Sequence, residues 1–246
     1  MKIIATDYDG TLNHNGIDNE KRQAISEWRK AGNLFGVVSG RGIKSLLEVI
    51  EDKCFEYDFL IVNNGAIVFD NNNKILKEYR CNGKVAKPFI EDLFSWDCPF
   101  ANIDKEISIM VRAENELCAE GEIYIKDLPE IDYFNQINTM LDTYEDAQNV
   151  VEKIKEKYSD VLNPLQNGNC IDITPAGVNK ASGIYSLMEF LGGKYEDIIA
   201  VGDNINDKDM IAEFKSYAME NGIALIKEMA DYITTGITEL INKELD

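Results

Sequence analysis

Histidine is nearly absent from this sequence of 246 residues, in which His14 is the only one. That count excludes a metal site built from several histidines. The five cysteines are scattered and form no Cys-x-x-Cys pair, so neither a zinc site nor a disulfide framework is indicated. The longest apolar runs have the length of strands, well short of the roughly 20 residues that a membrane span needs. We therefore expect free thiols, no membrane partner and a cytoplasmic location.

Positive charge is also scarce. Lysine and arginine number 25 against 44 aspartates and glutamates, which gives a formal net charge of −19. A surface of this sign repels nucleic acid and anionic membranes, so we expect neither as a partner. It would repel an anionic substrate as well. A phosphate site in this chain would therefore need a bound cation or a few well-placed lysines and arginines.

The hydrophobic pattern of the first part of the chain predicts an α/β fold. Short apolar runs at 3–5, 34–38 and 59–62 are typical of buried strands. Between them, residues 19–31 and 43–50 have the apolar spacing of helices. Strands that alternate with helices in this way predict a parallel sheet with helices on its faces.

The pattern changes in the middle of the chain and then returns. An amphipathic helix is predicted at 145–158, among shorter segments that are typical of both helices and strands. A buried strand at 198–201 resumes the parallel pattern. We therefore predict that residues 1–81 and 172–246 form the core and that residues 82–171 are inserted as a separate α/β domain.

Four polar clusters accompany the predicted strands. They are Asp7 with Asp9, Ser39-Gly40-Arg41, Lys180, and Asp203 with Asn206 and Asp207. Lys180 opens a predicted helix, whereas the other clusters follow strands directly. Because the carboxyl ends of strands in an open parallel sheet form the ligand crevice, we expect the four clusters to share one site.

The carboxylates of this expected site predict a magnesium ion. Asp7 and Asp9 are separated by one residue, and Asp203 and Asp207 would lie across the crevice. Carboxylates this close repel each other unless a cation or a shared proton lies between them. Mg²⁺ suits such a site because it accepts a few protein carboxylates together with phosphate and water. A lone Asp-x-Asp-Gly is more typical of a solvated turn, and only the four clusters together favour the metal site.

The same residues predict catalytic roles. Asp7 can attack phosphorus as a carboxylate nucleophile and form an aspartyl phosphate. Asp9 can protonate the leaving oxygen and later deprotonate the attacking water. The Ser39 hydroxyl, a backbone N–H nearby at Gly40 and the Lys180 ammonium can hold the phosphoryl oxygens. Taken alone, these last groups are more typical of a turn and of a surface lysine.

The order and the residues of the clusters match the motifs of a known family. Asp7-Tyr8-Asp9-Gly10-Thr11-Leu12 corresponds to its first motif, Val37-Val38-Ser39-Gly40-Arg41 to its second, Lys180 to its third and Gly202–Met210 to its fourth. On these motifs the chain resembles the haloacid dehalogenase superfamily of phosphatases, in its Cof-like, sugar-phosphatase-like branch. One departure is Met219-Glu220-Asn221-Gly222, where the family often has Met-Gly-Asn-Ala.

The resemblance carries further expectations. It implies a Rossmann-like core with an α/β cap inserted between the second and third motifs. It also implies that Asp7, the backbone carbonyl of Asp9 and Asp203 hold Mg²⁺. Asp207 and Asn206 would support that site or the phosphate. The expected substrate is a small phosphorylated metabolite, with a sugar phosphate as the first choice.

Three functions remain open at this point. The carboxylate of Asp9 favours a hydrolase, since relatives that keep the phosphoenzyme, such as ion-pumping ATPases, carry threonine there. A phosphotransferase or mutase acting on a sugar phosphate could use the same residues, with a hydroxyl in place of water as the acceptor. A non-catalytic binding protein on the same scaffold would have no need of all four clusters.

Overall fold

Two contact units make up the chain, as seen in a computed structural model that describes residues 1–51, 54–105 and 107–245. The core unit consists of Met1–Lys77 and Lys180–Asp246, and the inserted unit of Glu78–Asn179. The inserted unit thus begins at residue 78, four residues before the predicted 82, and ends at residue 179, eight residues after the predicted 171. The segment that leads to Lys180 belongs to the inserted unit by its contacts.

Strands and helices alternate along most of the described chain. The strands are β1 (Ile3–Thr6), β2 (Leu34–Val38), β3 (Phe59–Val62), β4 (Ile67–Asp70), β5 (Ile75–Glu78), β6 (Cys81–Asn82), β7 (Phe100–Asp104), β8 (Ile109–Arg112), β9 (Ile123–Tyr124), β10 (Tyr133–Phe134), β11 (Gln136–Met140), β12 (Leu162–Asn167), β13 (Cys170–Pro175), β14 (Ile198–Gly202), β15 (Lys215–Met219) and β16 (Tyr232–Thr234). The helices are α1 (Asn19–Lys30), α2 (Ile43–Ile50), α3 (Ala86–Ser95), α4 (Tyr144–Tyr158), α5 (Lys180–Leu191), α6 (Lys208–Glu213), α7 (Ala224–Met229) and α8 (Ile237–Leu245).

The core unit is built on a sheet with the strand order β16-β15-β14-β1-β2-β3-β4-β5. Neighbouring strands from β16 to β3 run parallel, and β4 runs antiparallel to β3. Strand β1 lies between β14 and β2, with Thr6 opposite both Val201 and Val37. The three strands therefore end side by side, which places the residues that follow them at one edge of the sheet.

Burial on both faces explains why the strands of this sheet read as unbroken apolar runs. Every residue of β1 is buried, and Ile3 and Ala5 lie in one apolar cluster with Ile184 of α5 and Met210 of α6. Helix α1 packs against α8 and β2. The α/β class and the parallel core sheet predicted from the sequence are confirmed.

The inserted unit has its own sheet and its own core. Its six strands are ordered β12-β13-β11-β7-β8-β9, and a separate short pair joins β6 to β10. Alternate residues of the sheet, such as Ile103, Ile137 and Ile173, share an apolar cluster with Phe89 of α3 and Val150 of α4. No helix in the described part of the chain is long and apolar enough to cross a membrane.

Candidate active site

The turn after β1 positions the first carboxylate of the site. The Asp7 N–H donates to the Val201 carbonyl at 2.8 Å, and the Asp7 carbonyl accepts from the Leu12 N–H at 3.1 Å. Between Asp7 and Leu12 in the chain, Gly10 adopts a φ of +83°, and a Cβ atom on it would stand 2.5 Å from Asp203 Oδ2. Glycine is therefore required both for the backbone conformation and for the close approach of Asp203.

Lys180, the first residue of α5, is fully buried at the centre of the site. Its Nζ donates to Asp7 Oδ1 at 2.6 Å and to Asp207 Oδ1 at 2.5 Å. Burial alone would lower the pKa of this ammonium, but the carboxylates of Asp207 and Asp7 raise it above its ordinary value. Lys180 therefore stays charged and ties the turn after β1 to the loop after β14.

The loop after β14 is organised by Asp207. Its Oδ2 accepts hydrogen bonds from the backbone N–H groups of Asp203 at 2.9 Å and Asn204 at 3.0 Å. Thr11 fixes the neighbouring carboxylate, since its hydroxyl donates to Asp203 Oδ1 at 2.7 Å. Asn206 is buried in the same short turn. Both oxygens of Asp207 are thus engaged within the protein, whereas Asp203 keeps Oδ2 beside Gly10.

Three carboxylates and one ammonium come together here. Oxygens of Asp7, Asp203 and Asp207 lie within 4.8 Å of one another. Burial raises the pKa of Asp7 to about 8; Lys180 opposes that rise, and the charges of Asp207 and Asp203 add to it. The pKa of Asp203 is also raised, chiefly by burial. The excess of negative charge in a buried site is what a divalent cation with oxygen ligands would offset.

Ser39 is held firmly at the end of β2. Its backbone N–H donates to the Ile61 carbonyl at 2.8 Å, and its carbonyl accepts from the Asn64 N–H at 2.9 Å. Its Oγ accepts from the Arg41 N–H at 3.1 Å, and the side chain is buried. A hydroxyl that accepts one hydrogen bond can still donate its own hydrogen to a ligand, and Gly40 follows half-buried. This geometry is compatible with the predicted phosphate-binding role of both residues.

Asp9 does not join the other carboxylates. Among the described residues the acidic cluster consists of Asp7, Asp203 and Asp207, and the Asp9 side chain is half-exposed. Its two oxygens accept hydrogen bonds from Arg41, from Nε at 2.6 Å and from Nη2 at 2.9 Å. Any contact of Asp9 with a metal would therefore come from its backbone carbonyl. Arg41 is half-buried against Asp9.

Three further residues of the site were not singled out from the sequence. Thr11 stands inside the first motif, where its hydroxyl could have suggested a carboxylate partner. Asn204 and Asp207 form a capping box, which their spacing could have indicated. Asn221 donates from Nδ2 to the Gly10 carbonyl at 3.0 Å. No local pattern predicts that last contact, because it joins residues far apart in the chain.

Comparison with known proteins gives consistent results along nearly the whole chain. Residues 4–239 match a family model described as haloacid dehalogenase-like hydrolase. A phosphoglycolate phosphatase of Methanothermobacter thermautotrophicus is 36% identical, with 99% of this chain and 98% of the relative covered. The 5-amino-6-(5-phospho-D-ribitylamino)uracil phosphatase YcsE of Bacillus subtilis is 27% identical, with 100% and 94% covered.

A solved structure shows the same fold. It is that of a HAD/COF-like hydrolase from Plasmodium vivax, with a TM-score of 0.84 and 21% identity, and the match covers 100% of this chain and 96% of the other. At this identity the likeness concerns the fold alone. The family match and the named phosphatases are the findings that bear on chemistry.

Proposed function

This chain belongs to the haloacid dehalogenase-like hydrolase family and is a phosphoric monoester hydrolase, and we propose that it uses Mg²⁺ and an aspartyl phosphate on Asp7 to hydrolyse a small phosphorylated metabolite. The observation that carries the proposal is the buried cluster of Asp7, Asp203 and Asp207 around Lys180. In this cluster Asp7 is the nucleophile, and the Lys180 ammonium is a positive charge for the phosphoryl oxygens. The three carboxylates leave an excess of negative charge that a metal ion would offset.

The residues present fit a magnesium ion. Asp7 and Asp203 each have a carboxylate oxygen beyond those bonded to Lys180 and Thr11, and the Asp9 carbonyl completes the expected protein ligands. Asp207 is the supporting member of the set, because its oxygens already hold Lys180 and the loop backbone. When bound there, Mg²⁺ would neutralise the phosphoryl oxygens and lower the pKa of Asp7 from about 8, so that the nucleophile is ionised at neutral pH.

The chemistry has two steps. In the first, an Asp7 oxygen bonds to phosphorus while the bond to the leaving oxygen breaks, and a proton passes from Asp9 to that oxygen. In the second, water attacks phosphorus, its proton passes to Asp9, and the Asp7 carboxylate leaves. Lys180, Ser39 and the backbone at Gly40 hold the phosphoryl oxygens through both steps. Asn206, which is buried and precedes Asp207 in the chain, is a further proposed contact for the phosphoryl group.

The names of the relatives support an alkyl phosphate as the substrate. One is named for phosphoglycolate and another for a phosphorylated ribitylamino compound. Both are phosphate esters of a small carbon chain that bears further polar groups. We therefore propose a substrate of that class, with sugar phosphates as the first to be tested.

A phosphate-release screen tests the proposal. Purified protein is given a panel of phosphorylated metabolites with Mg²⁺ or with EDTA, and inorganic phosphate is measured. We expect release that depends on Mg²⁺ and is abolished in Asp7→Asn. Asp142→Asn changes an exposed carboxylate of the inserted unit and should keep full turnover. Release that is unchanged in EDTA would contradict the metal requirement. Transfer of phosphate to a second hydroxyl compound without release would favour a phosphotransferase.

A further inference from the structure

Arg41 holds Asp9, the proposed proton donor, with a fork of two hydrogen bonds. Nε and Nη2 of its guanidinium donate to the two oxygens of Asp9 at 2.6 and 2.9 Å. A half-exposed aspartate would otherwise sample several side-chain rotamers. A planar guanidinium paired with both oxygens restricts the carboxylate to one orientation. The position of Asp9 is therefore set by Arg41 and not by the buried acidic cluster.

Arg41 is itself anchored on three sides. Its backbone N–H donates to Ser39 Oγ at 3.1 Å, and its carbonyl accepts from the Asn63 N–H at 2.9 Å. Its remaining nitrogen, Nη1, donates to Ser45 Oγ at 3.2 Å at the start of α2. The guanidinium thus projects from a fixed backbone, and the proposed phosphate-binding residue Ser39 is part of that anchor. The orientation of Asp9 is coupled to the same loop that would hold the phosphoryl group.

We infer that Arg41 is a positioning residue that aims the Asp9 carboxyl group at the leaving oxygen, an inference that rests on the proposed phosphatase function. Each Asp9 oxygen has a second lone pair beyond the one that faces the guanidinium, and Asp9 carries its proton there. In the first step this proton passes to the leaving oxygen, which takes the electron pair of the breaking phosphorus–oxygen bond, and Asp9 is left as a carboxylate. The benefit of that proton transfer depends on the geometry of donor and acceptor. Arg41 supplies the geometry through Asp9, without touching phosphorus or the leaving oxygen.

Two physical properties make this role separable from folding and from charge. The pair is partly exposed, and exposed ion pairs contribute little to stability. Loss of the pair should therefore leave the thermal midpoint nearly unchanged. Lysine keeps the positive charge but lacks the planar fork, so Arg41→Lys should resemble Arg41→Gln more than the wild type.

The test measures how strongly turnover depends on the leaving group. The value of kcat/KM is determined for 4-nitrophenyl phosphate, whose leaving group departs without a proton, and for phenyl phosphate, which needs one. Because kcat/KM covers the step in which the leaving group departs, the ratio of the 4-nitrophenyl phosphate value to the phenyl phosphate value reports proton donation. The ratio rises when proton donation is lost. We expect Asp9→Asn to lower the phenyl phosphate value by about 10²–10⁴. Arg41→Lys and Arg41→Gln should raise the ratio about tenfold or more, and Arg41→Gln should raise it no further in the Asp9→Asn background.

A matched control exists at the other end of the sheet. Arg29 makes the same fork with Asp58, the residue just before β3, from Nε at 2.9 Å and Nη2 at 2.8 Å. Arg29→Lys should leave the ratio unchanged. If Asp9→Asn raises the ratio and the Arg41 variants do not, or if they raise KM equally for both substrates, the positioning role is refuted. If Asp9→Asn itself leaves the ratio unchanged, or the wild type turns over neither ester, the proposed function fails and the inference with it.

Discussion

Removing the ammonium from the centre of the site should destabilise the core unit. In Lys180→Met the Asp7 and Asp207 carboxylates lose their shared partner, while methionine fills most of the space. The two acids would then face each other with oxygens that lie within 4.8 Å. Breaking a buried ion pair by removing one partner costs about 3–5 kcal/mol.

The cost should grow above pH 8. Burial raises the pKa of Asp7 from 3.8 to about 8 even with Lys180 present, and loss of Lys180 raises it further. Below pH 8 both proteins therefore hold the Asp7 proton in the native state, and above pH 8 only the variant keeps it. Stability falls as pH rises wherever the native state holds more protons than the unfolded state. We therefore expect a deficit of about 3–5 kcal/mol that is nearly constant from pH 5 to pH 8 and grows at higher pH.

Urea denaturation in EDTA measures this deficit. Trp28 is fully buried in the core unit and reports its unfolding, provided that Trp96 of the inserted unit is replaced by phenylalanine in every sample. Lys30→Met removes the same charge from an exposed position and serves as the control. The reasoning is refuted if Lys180→Met is as stable as Lys30→Met, or if its deficit shrinks as pH rises.

Three other perturbations should have defined effects. Gly10→Ala should abolish phosphate release, because its Cβ would stand 2.5 Å from Asp203 Oδ2, whereas Gly32→Ala has a similar φ of +84° with nothing within 4 Å and should keep turnover. Lys21→Met should cost about 1–3 kcal/mol in a urea titration, because its Nζ donates to three backbone carbonyls of the loop after the first motif. Although burial raises the pKa of Glu244, hydrogen bonds from two lysines and a tyrosine lower it from 4.5 to about 2. Its ionised form should therefore contribute about 2 kcal/mol above pH 4.5 that is lost as pH falls towards 2, and Glu244→Gln should lack that acid dependence in a series of thermal scans.

The buried strands of the core could be predicted closely from the sequence. The bounds predicted for the strands at Leu34–Val38 and Phe59–Val62 and the helix at Ile43–Ile50 agree with the structure. Apolar runs of strand length, bounded by turn residues, are the pattern that fully buried parallel strands require. The periodicity of the sequence was sufficient for these elements because their burial follows from their own residues.

Two of the longer strands of the inserted unit were not predicted. Leu162–Asn167 contains Pro164, which argues against a central strand. The structure places this strand at the edge of its sheet, where a proline can be accommodated because one side needs no ladder hydrogen bonds. Phe100–Asp104 carries Asn102 and Asp104 among its apolar residues, which weakens its strand pattern. In both cases the strand forms because of its pairing with neighbouring strands, and that pairing cannot be read from the local sequence pattern.

The candidate site was predictable where it depends on strand ends. Asp7, Lys180 and Asp207 were expected at one crevice, and the structure brings them into direct contact. The partner of Asp9 was not predicted. Its pairing with Arg41 depends on the backbone directions of two separate turns, and these are set by tertiary contacts.

Trapping the phosphoenzyme tests the central claim most directly. Asp9→Asn removes the base for the second step, so an aspartyl phosphate formed from 4-nitrophenyl phosphate should accumulate. We predict one phosphoryl group on the peptide that contains Asp7, found by mass spectrometry of the acid-quenched and digested protein and lost on treatment with hydroxylamine. A phosphoryl group on any other residue, or release of 4-nitrophenol with no protein-bound phosphate at any time, would contradict Asp7 as the nucleophile.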